Sequence, residues 1–317
     1  MAKILTVTLN PALDLTVRLP TLRPGEVNRG EALHVQAAGK GLNVAQVLAD
    51  LGHALTVTGF LGADNPQPFE ALFAARGFDD RFIRVPGQTR SNLKLAEADG
   101  RVTDINGPGL MIDPAACDAL LAQLDAAIPG HAAVVVAGSL PRGIDHLWFG
   151  HLLGRIALHG VPVALDTSGP ALAAGLRTRP WLAKPNLDEL AEVSGRALDD
   201  EAVLTDEAAR LLAAGVTHLV VSRGADGVSW FSAEGQWRST PPRVRVVSTV
   251  GAGDSLLAGM LHGLLEGWPP ERTLRQATAI AAQAVAQIDF GITDRAGLAD
   301  LDAATAVQAL GPNKNKG

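Results

Sequence analysis

The sequence has almost no cysteine: Cys117 is the only one among 317 residues. A disulfide within the chain is therefore excluded. Cys117 lies in the stretch DPAACDALLAQLDAAI, in which Asp113 and Pro114 are typical of the N-cap and first residue of a helix. We expect a small buried hydrophobic residue at this position and not a nucleophile.

Long apolar runs and basic blocks are missing as well. No segment approaches the roughly 18 apolar residues that a membrane helix needs, and the opening MAKILTVTLN does not resemble a secretory signal. The formal net charge is −6, and no basic stretch is interleaved with aromatic residues, as in nucleic-acid-binding surfaces. The expectation is a cytoplasmic protein that binds neither nucleic acid nor a membrane.

Several common ligand motifs are also absent. The eight histidines form neither an HExxH motif nor Cys/His ligand spacing, so no metal held by protein ligands alone is expected. A Walker A loop is excluded because Lys40 is followed by Gly41 and the earlier glycine is lacking. A dinucleotide fingerprint is excluded because Leu256 stands where its third glycine is required.

Apolar strand-like runs alternate with amphipathic stretches along the chain, and hydrophobic residues make up 47% of it. This alternation predicts an α/β fold in which helices cover both faces of a mostly parallel sheet. The predicted strands are 4–9, 55–61, 133–137, 161–165 and 218–222. The predicted helices are 41–51, 66–75, 114–127, 145–158, 187–193, 205–214 and others after residue 254.

Two regions break this alternation. Residues 13–20 and 29–36 are strand-like, and two further strand-like runs, 91–96 and 101–105, flank the hairpin signal Asp99-Gly100. We expect these four strands to form a small separate sheet.

The small sheet is interpreted as a lid made by segments of about 12–36 and 88–107, which would cover the carboxyl ends of the parallel strands and keep water from a substrate. An exposed lid sheet favours a homodimer in which two lids meet. The last residues, 311–317, are predicted to be a disordered tail.

The octet STVGAGDS at 248–255 is predicted to join a short strand, 244–248, to a helix with apolar residues at helical spacing. Glycine backbone can approach a ligand closely, and the first N–H groups of a helix lack partners, so this turn can bind an anion. Asp254 would then lie beside the bound charge. The alternative is that Asp254 is only an N-cap and the glycines only fit a tight turn.

Two other clusters carry polar groups. The turn AGKGLN at 38–43 opens a helix with Lys40 and Asn43, although each residue alone is as typical of a solvated surface. In the strand beginning TRSNLK at 89–94, alternate residues share a face. Arg90 and Lys94 therefore form a cationic face that suits a phosphate, or a solvated one.

Seven motifs occur in order: TLNPALD (8–14), AAGKGLNVA (37–45), TRSNLKL (89–95), GSLP (138–141), KPNLDE (184–189), SRGADG (222–227) and STVGAGDS (248–255). Together they resemble the ribokinase-like, or pfkB, family of carbohydrate kinases over essentially the whole chain. The resemblance implies a single three-layer α/β/α domain over residues 1–317 with a mostly parallel central sheet and a small β-sheet lid.

Within the family, these motifs are most similar to those of kinases that act on fructose 1-phosphate. The resemblance implies transfer of the γ-phosphoryl group of MgATP to O6 of D-fructose 1-phosphate. Kinases of tagatose 6-phosphate or fructose 6-phosphate are the alternatives. A sugar-phosphate sensor without catalysis is the non-enzyme alternative, against which the presence of Asp254 argues. A nicotinamide oxidoreductase is disfavoured by the missing third glycine.

The resemblance also implies residue roles. The catalytic group is the base Asp254 with an anion hole of Gly251, Ala252 and Gly253. The acceptor-binding residues are Asp14, Gly39, Lys40, Asn43, Arg90, Asn92 and Ser139. The nucleotide-binding residues are Lys184, Asn186, Glu189, Ser222, Gly224, Gly227 and Ser248.

Some of these roles are more specific. Lys40 and Arg90 are expected to bind the phosphate already on the sugar, with Lys94 and Arg29 as weaker candidates. The pair Asn186 and Glu189 is expected to hold Mg²⁺ largely through water.

Ser248 and Val250 are candidate oxygen donors to a monovalent cation such as K⁺. Many members of the family have two glycines before the residue equivalent to Lys40. Ala38 departs from that pattern and predicts a slightly different turn.

Overall fold

The computed structural model describes residues 1–311, which form a large sheet of ten strands and a small sheet of four. In chain order, the strands are β1 (Lys3–Thr8), β2 (Ala12–Leu19), β3 (Ala32–Ala38), β4 (Ala54–Gly62), β5 (Asp79–Val85), β6 (Ser91–Glu97), β7 (Val102–Asn106), β8 (Ala133–Ala137), β9 (Val163–Asp166), β10 (Leu182–Ala183), β11 (His218–Ser222), β12 (Val228–Ser232), β13 (Gln236–Thr240) and β14 (Ala306–Gly311).

The helices are α1 (Lys40–Asp50), α2 (Gln67–Arg76), α3 (Pro114–Ala127), α4 (His146–Ala157), α5 (Gly169–Arg177), α6 (Leu187–Ser194), α7 (Glu201–Ala213), α8 (Ala252–Leu265), α9 (Pro270–Val285) and α10 (Arg295–Ala304). Within residues 1–311, no helix is long and apolar enough to span a bilayer.

The large sheet has the order β14-β13-β12-β11-β10-β9-β8-β1-β4-β5. The neighbouring strands β5, β4, β1, β8, β9, β10 and β11 are parallel to one another. Strands β12, β13 and β14 extend this sheet beyond β11 with antiparallel pairs. The prediction of a mostly parallel sheet is confirmed. The parallel strands bring their carboxyl ends to one edge, and that edge is where ligands bind in open α/β sheets.

Helices cover both faces of the large sheet. In β8, Val134 and Val136 pack toward a core shared with α3, α4, α5, α6 and α7. Their neighbour Val135 packs toward a second core shared with α1, α2, α8 and α9. Because both faces are buried, the strand is an uninterrupted apolar run, as the sequence shows.

The small sheet has the order β3-β2-β6-β7, so the predicted separate sheet is confirmed. Its register places Asp14 directly opposite Gln36 on one side and Asn92 on the other. Residues opposite one another point to the same face of a sheet. Cys117 is buried on α3, as expected, and Asp113 caps that helix by accepting from the N–H of Ala116 at 2.7 Å.

Some boundaries differ from the predictions. The predicted strand 244–248 is wrong, because this segment is irregular and the N–H groups of Val247 and Ser248 donate to the carbonyl of Val285 instead of to a strand. Helix α7 begins earlier than predicted because Asp200 accepts from the N–H of Ala202 and so starts the helix at Glu201.

The predicted disordered tail is wrong at its first residue. Gly311 is the last residue of β14 and pairs with Gln236. Residues 312–317 lie outside the described part of the chain. Strands β5, β10, β12, β13 and β14 and helix α5 were not predicted. Of these, β10 is too short for a sequence pattern, at 2 residues.

Candidate active site

A cavity of about 850 Å³ lies between the small sheet and the carboxyl ends of the parallel strands. The weaker candidates Lys94 and Arg29 are not among the lining residues. All but two of the other catalytic, acceptor-binding and nucleotide-binding residues implied by the resemblance line it: Asp14, Gly39, Lys40, Asn43, Arg90, Asn92, Lys184, Asn186, Glu189, Ser222, Gly224, Gly227, Gly251, Ala252, Gly253 and Asp254. The two that do not line it are Ser139, which accepts a hydrogen bond from Asn10 at 3.1 Å, and Ser248, which accepts from the N–H of Val250 at 3.2 Å.

The turn before α8 exposes free N–H groups to this cavity. Gly251 is the N-cap and has a φ of 83°, which favours glycine. The N–H of Ser255 donates to the carbonyl of Gly251 at 2.8 Å. The N–H groups of Ala252, Gly253 and Asp254 precede it and have no intrahelical acceptor. They provide a positive helix end for an anion.

Asp254 is not the N-cap of α8, so that alternative is wrong. Its side chain is buried and accepts a hydrogen bond from Nδ2 of Asn43, on α1, at 2.8 Å. Burial, and after it the charge of Asp166, raise the pKa of Asp254 to about 6 against the opposing effect of nearby lysines. The group is therefore ionised at neutral pH and more basic than an ordinary aspartate.

The turn before α1 faces the same cavity. Gly39 is the N-cap with a φ of 139°, and a Cβ there would lie 2.8 Å from Cγ2 of Thr8. Ala38 has no positive φ and simply ends β3. The missing second glycine therefore imposes no strain on this turn.

Asp166, the last residue of β9, is a site residue that the sequence analysis missed. Its side chain is fully buried, and its two oxygens contact Nζ of Lys40 at 3.0 Å and Nζ of Lys184 at 3.2 Å. Burial disfavours the carboxylate, but the charges of the two lysines outweigh this effect and lower the pKa of Asp166. The sequence does contain a signal for this residue, because Asp166 is an acid at the carboxyl end of the buried apolar strand β9.

The opposite wall of the cavity belongs to the small sheet. Asp14 is buried and accepts hydrogen bonds from Lys94 at 2.5 Å and Asn92 at 3.0 Å. The guanidinium of Arg90 donates to the main-chain carbonyl of Asn10 at 3.1 Å. Burial lowers the pKa of Arg90, although Asp14 opposes this effect. Arg29 is exposed in the loop between β2 and β3.

The remaining wall combines carboxamide, carboxylate and apolar groups. Asn186 caps α6 by accepting from the N–H of Glu189 at 2.7 Å, and the Glu189 carboxylate accepts from the N–H of Asn186 at 2.8 Å. Ser222, Gly224 and Gly227 lie further along this wall. Small apolar side chains complete it, namely Val228, Ala281, Ala282 and Val285.

A three-layer α/β protein with a carboxylate at a glycine-rich helix end, beneath a small β-sheet, has the fold and site of a sugar kinase. The sequence model of the "pfkB family carbohydrate kinase" matches residues 7–293, and the chain belongs to this family. The family prediction and the kinase prediction are confirmed.

Two curated relatives are similar over nearly their whole length. The chain is 44% identical to the 1-phosphofructokinase of Escherichia coli (strain K12) over 306 residues, which cover 96% of this chain and 98% of the relative. It is also 44% identical to the 1-phosphofructokinase of Vibrio cholerae over 311 residues, covering 98% of each.

Among solved structures, phosphofructokinase-2 from Escherichia coli in complex with potassium superposes with a TM-score of 0.89 at 28% identity, covering 96% of this chain and 99% of that one. The same protein is known in a tetrameric inhibited form.

Proposed function

We propose that this chain transfers the γ-phosphoryl group of MgATP to O6 of D-fructose 1-phosphate, giving fructose 1,6-bisphosphate and ADP. The observation that carries the proposal is the position of Asp254: a buried carboxylate of raised pKa at the free N–H groups of α8, on a cavity with cations at both ends. The curated relatives of this length and similarity are 1-phosphofructokinases, which favours this acceptor over the two alternatives.

Asp254 acts on the attacking hydroxyl. Its carboxylate accepts the hydrogen bond of O6 and so orients this oxygen toward the phosphoryl group. An aspartate with a pKa of about 6 is still far less basic than an alkoxide, so the proton moves to Asp254 late, after the new P–O bond begins to form. The hydroxyl proton thus ends on Asp254, and the broken P–O bond leaves its electrons on ADP.

The charge that develops during transfer lies on the equatorial phosphoryl oxygens. Ala252 and Gly253 line the cavity, so their free N–H groups can donate to these oxygens, and the helix dipole adds to their effect. This arrangement stabilises the transition state without reorganisation because the turn is fixed by backbone geometry.

Asn186 and Glu189 fit a hydrated Mg²⁺. Their capping bonds use Oδ1 of Asn186 and Oε2 of Glu189, which leaves Oε1 of Glu189 for water molecules of the metal. Mg²⁺ keeps several waters and takes few protein ligands. When bound, the ion would neutralise phosphate charge. Ser248 and Val250 remain the proposed oxygen donors for a monovalent cation such as K⁺.

The acceptor is bound by the small sheet. Asp14 suits sugar hydroxyls because an ionised carboxylate only accepts hydrogen bonds. Arg90 suits the resident phosphate because its guanidinium donates in a fork. These two groups distinguish the ends of the sugar, so that O6 is presented to Asp254.

The outer face of the small sheet supports a homodimer. Val35, Leu15, Leu93 and Ile105 are opposite one another in register and form an apolar row across all four strands. Val35 and Ile105 are 47% and 54% exposed. A contiguous apolar patch of this kind is typical of an interaction site, and we propose that a second copy of this chain covers it.

Initial rates with the purified chain and MgATP test the acceptor. We expect kcat/KM for fructose 1-phosphate to exceed that for fructose 6-phosphate and for tagatose 6-phosphate by at least about tenfold, or ~1.4 kcal/mol of transition-state stabilisation. A higher value for either of the other two sugars would replace fructose 1-phosphate as the substrate.

A further inference from the structure

We propose that Asp166 is a positioning residue that holds Lys40 and Lys184 together on the phosphoryl group in transfer. The inference rests on the proposed function and deepens it. It also changes the role of Lys40, which the sequence analysis expected on the phosphate already carried by the sugar.

The first observation is the sharing of one carboxylate by two ammonium groups. Lys40 follows the glycine turn of α1, and Lys184 follows the short strand β10, so they approach Asp166 from different elements. Each contacts a different oxygen, at 3.0 and 3.2 Å. The side chain of Lys184 is only 4% exposed. Asp166 therefore fixes where both charges lie.

The second observation is the location of this cluster. A Cβ added at Gly253 would lie 3.2 Å from Nζ of Lys184, so this ammonium borders the N-terminal turn of α8. The charges of Asp166, Asp254 and Glu189 act on Lys40 and, against its burial, raise its pKa. Lys40 thus lies among the base, the proposed Mg²⁺ ligand and the anion-binding turn.

Arg90 lies in a different part of the cavity. Its guanidinium contacts the carbonyls of Asn10, Pro11 and Gly107, and the carboxylate that acts on it is Asp14. The cavity therefore has two cationic positions. One lies at the small sheet, for the resident phosphate, and the other lies beside Asp254, for the group in transfer.

The cluster has a net charge of +1, because two ammonium groups share one carboxylate. A transferring phosphoryl group carries its negative charge on its equatorial oxygens. The two lysines can therefore donate hydrogen bonds to it while Asp166 keeps them in place. A flexible lysine without such a partner loses side-chain freedom when it binds, which weakens its contribution.

Steady-state kinetics of Asp166→Asn with fructose 1-phosphate and MgATP test the inference. We expect kcat to fall about 100-fold, as when a preorganised electrostatic contact is lost. KM for fructose 1-phosphate should change less than about threefold, because Arg90 and Asp14 are untouched. Lys40→Met should likewise lower kcat and leave KM for fructose 1-phosphate nearly unchanged. A folded Asp166→Asn with kcat within threefold of wild type, or with only a raised KM, would overturn the inference.

The pH profile gives a readout that a purely structural role would not move. The groups acting on Asp254 are Asp166, Lys40, Asn43 and Lys184. Lys40 lowers the pKa of Asp254, so Lys40→Met should shift the acid limb of kcat to higher pH. An unchanged or downward-shifted acid limb in Lys40→Met would separate Lys40 from Asp254 and contradict the inference.

Asp125→Asn is the matched control. Asp125 also shares its carboxylate between two basic groups, Arg155 and His159, but on the surface between α3 and α4. It should leave kcat and the acid limb unchanged, and a loss equal to that of Asp166→Asn would count against a specific role of Asp166.

A second variant separates catalysis from folding. Asp166→Asn leaves Lys184 buried without a counter-ion, which destabilises a fold, and Asp166→Asn/Lys184→Met removes that charge.

In Asp166→Asn/Lys40→Met, the loss of kcat should be smaller than the product of the two single losses, because Asp166 acts through Lys40. Fully multiplicative losses would overturn this coupling. A wild-type chain that is inactive on fructose 1-phosphate would instead refute the proposed function.

Discussion

Asn43 donates a hydrogen bond from Nδ2 to Oδ2 of Asp254, with 2.8 Å between the two atoms, although 211 positions separate the residues in the chain. The bond joins the first turn of α1 to the first turn of α8. It orients the carboxylate and stabilises its ionised form, which opposes the effect of burial on the pKa of Asp254. Asp254, the proposed base, is thus held by the same turn that carries Lys40.

Asp254→Asn should lower kcat by at least about 100-fold, because the amide orients the hydroxyl but cannot take its proton. The affinity for ATP, measured by titration calorimetry, should remain within about twofold, since the proposed contact of Asp254 is with the acceptor hydroxyl. The thermal transition of the variant should match wild type as a control for folding. Near-normal turnover would remove Asp254 from the role of base.

Arg90→Met should raise KM for fructose 1-phosphate by about 10- to 100-fold, the effect of losing a charge-assisted bidentate contact. KM for ATP should stay close to wild type. Arg177→Met, at the exposed end of α5, is the matched control and should change neither constant. Equal increases in both constants for Arg90→Met would contradict a contact with the resident phosphate.

A charge on the outer face of the small sheet should separate the proposed dimer. Val35→Asp/Ile105→Asp buries carboxylates at the interface, where they have no partner. Sedimentation velocity should show a dimer for wild type and a monomer for this variant. Leu158→Asp, at a more exposed apolar position (86%) at the end of α4, should remain dimeric. A wild-type monomer, or a variant that still dimerises, would reject this interface.

His218 should make the fold sensitive to acid. It packs between Trp181 and Trp230, with ring centroids at 5.3 and 5.7 Å, and burial lowers its pKa to about 4. An unfolded histidine titrates near pH 6.5. The unfolded chain therefore binds the extra proton first. The free energy of unfolding is therefore highest above about pH 6.5 and decreases as the pH falls toward 4. At pH 5 the loss is about 2 kcal/mol.

Urea unfolding at pH 5 and pH 7.5 measures this loss. His218→Phe should reduce the difference between the two pH values, because the aromatic packing is kept and the titrating group is removed. His146→Gln, on the surface of α4, should leave the difference as in wild type. An unchanged difference in His218→Phe would exclude His218 as its source.

The sequence predicted an element correctly where its residue pattern arises from burial or capping within that element. The buried strand β8 is an uninterrupted apolar run because both its faces are covered, and Asp113 marks the start of α3 because its side chain satisfies a free N–H. The valines of segment 244–248 suit a strand, and the prediction of one was therefore wrong. Within residues 1–311 the segment pairs with no strand, and the N–H groups of Val247 and Ser248 donate to the carbonyl of Val285 at the end of α9. β10 was missed because 2 residues carry no periodicity.

The sequence by itself determined most of the elements, the glycine turns and the motif residues, because these depend on neighbours a few positions away. Only the tertiary structure decided which charges meet. Lys40 faces Asp166, 126 positions away, and Asp14 faces Lys94, 80 positions away. Parallel strands bring distant carboxyl ends to one edge, and the electrostatic interactions there depend on distances in space that no local pattern records.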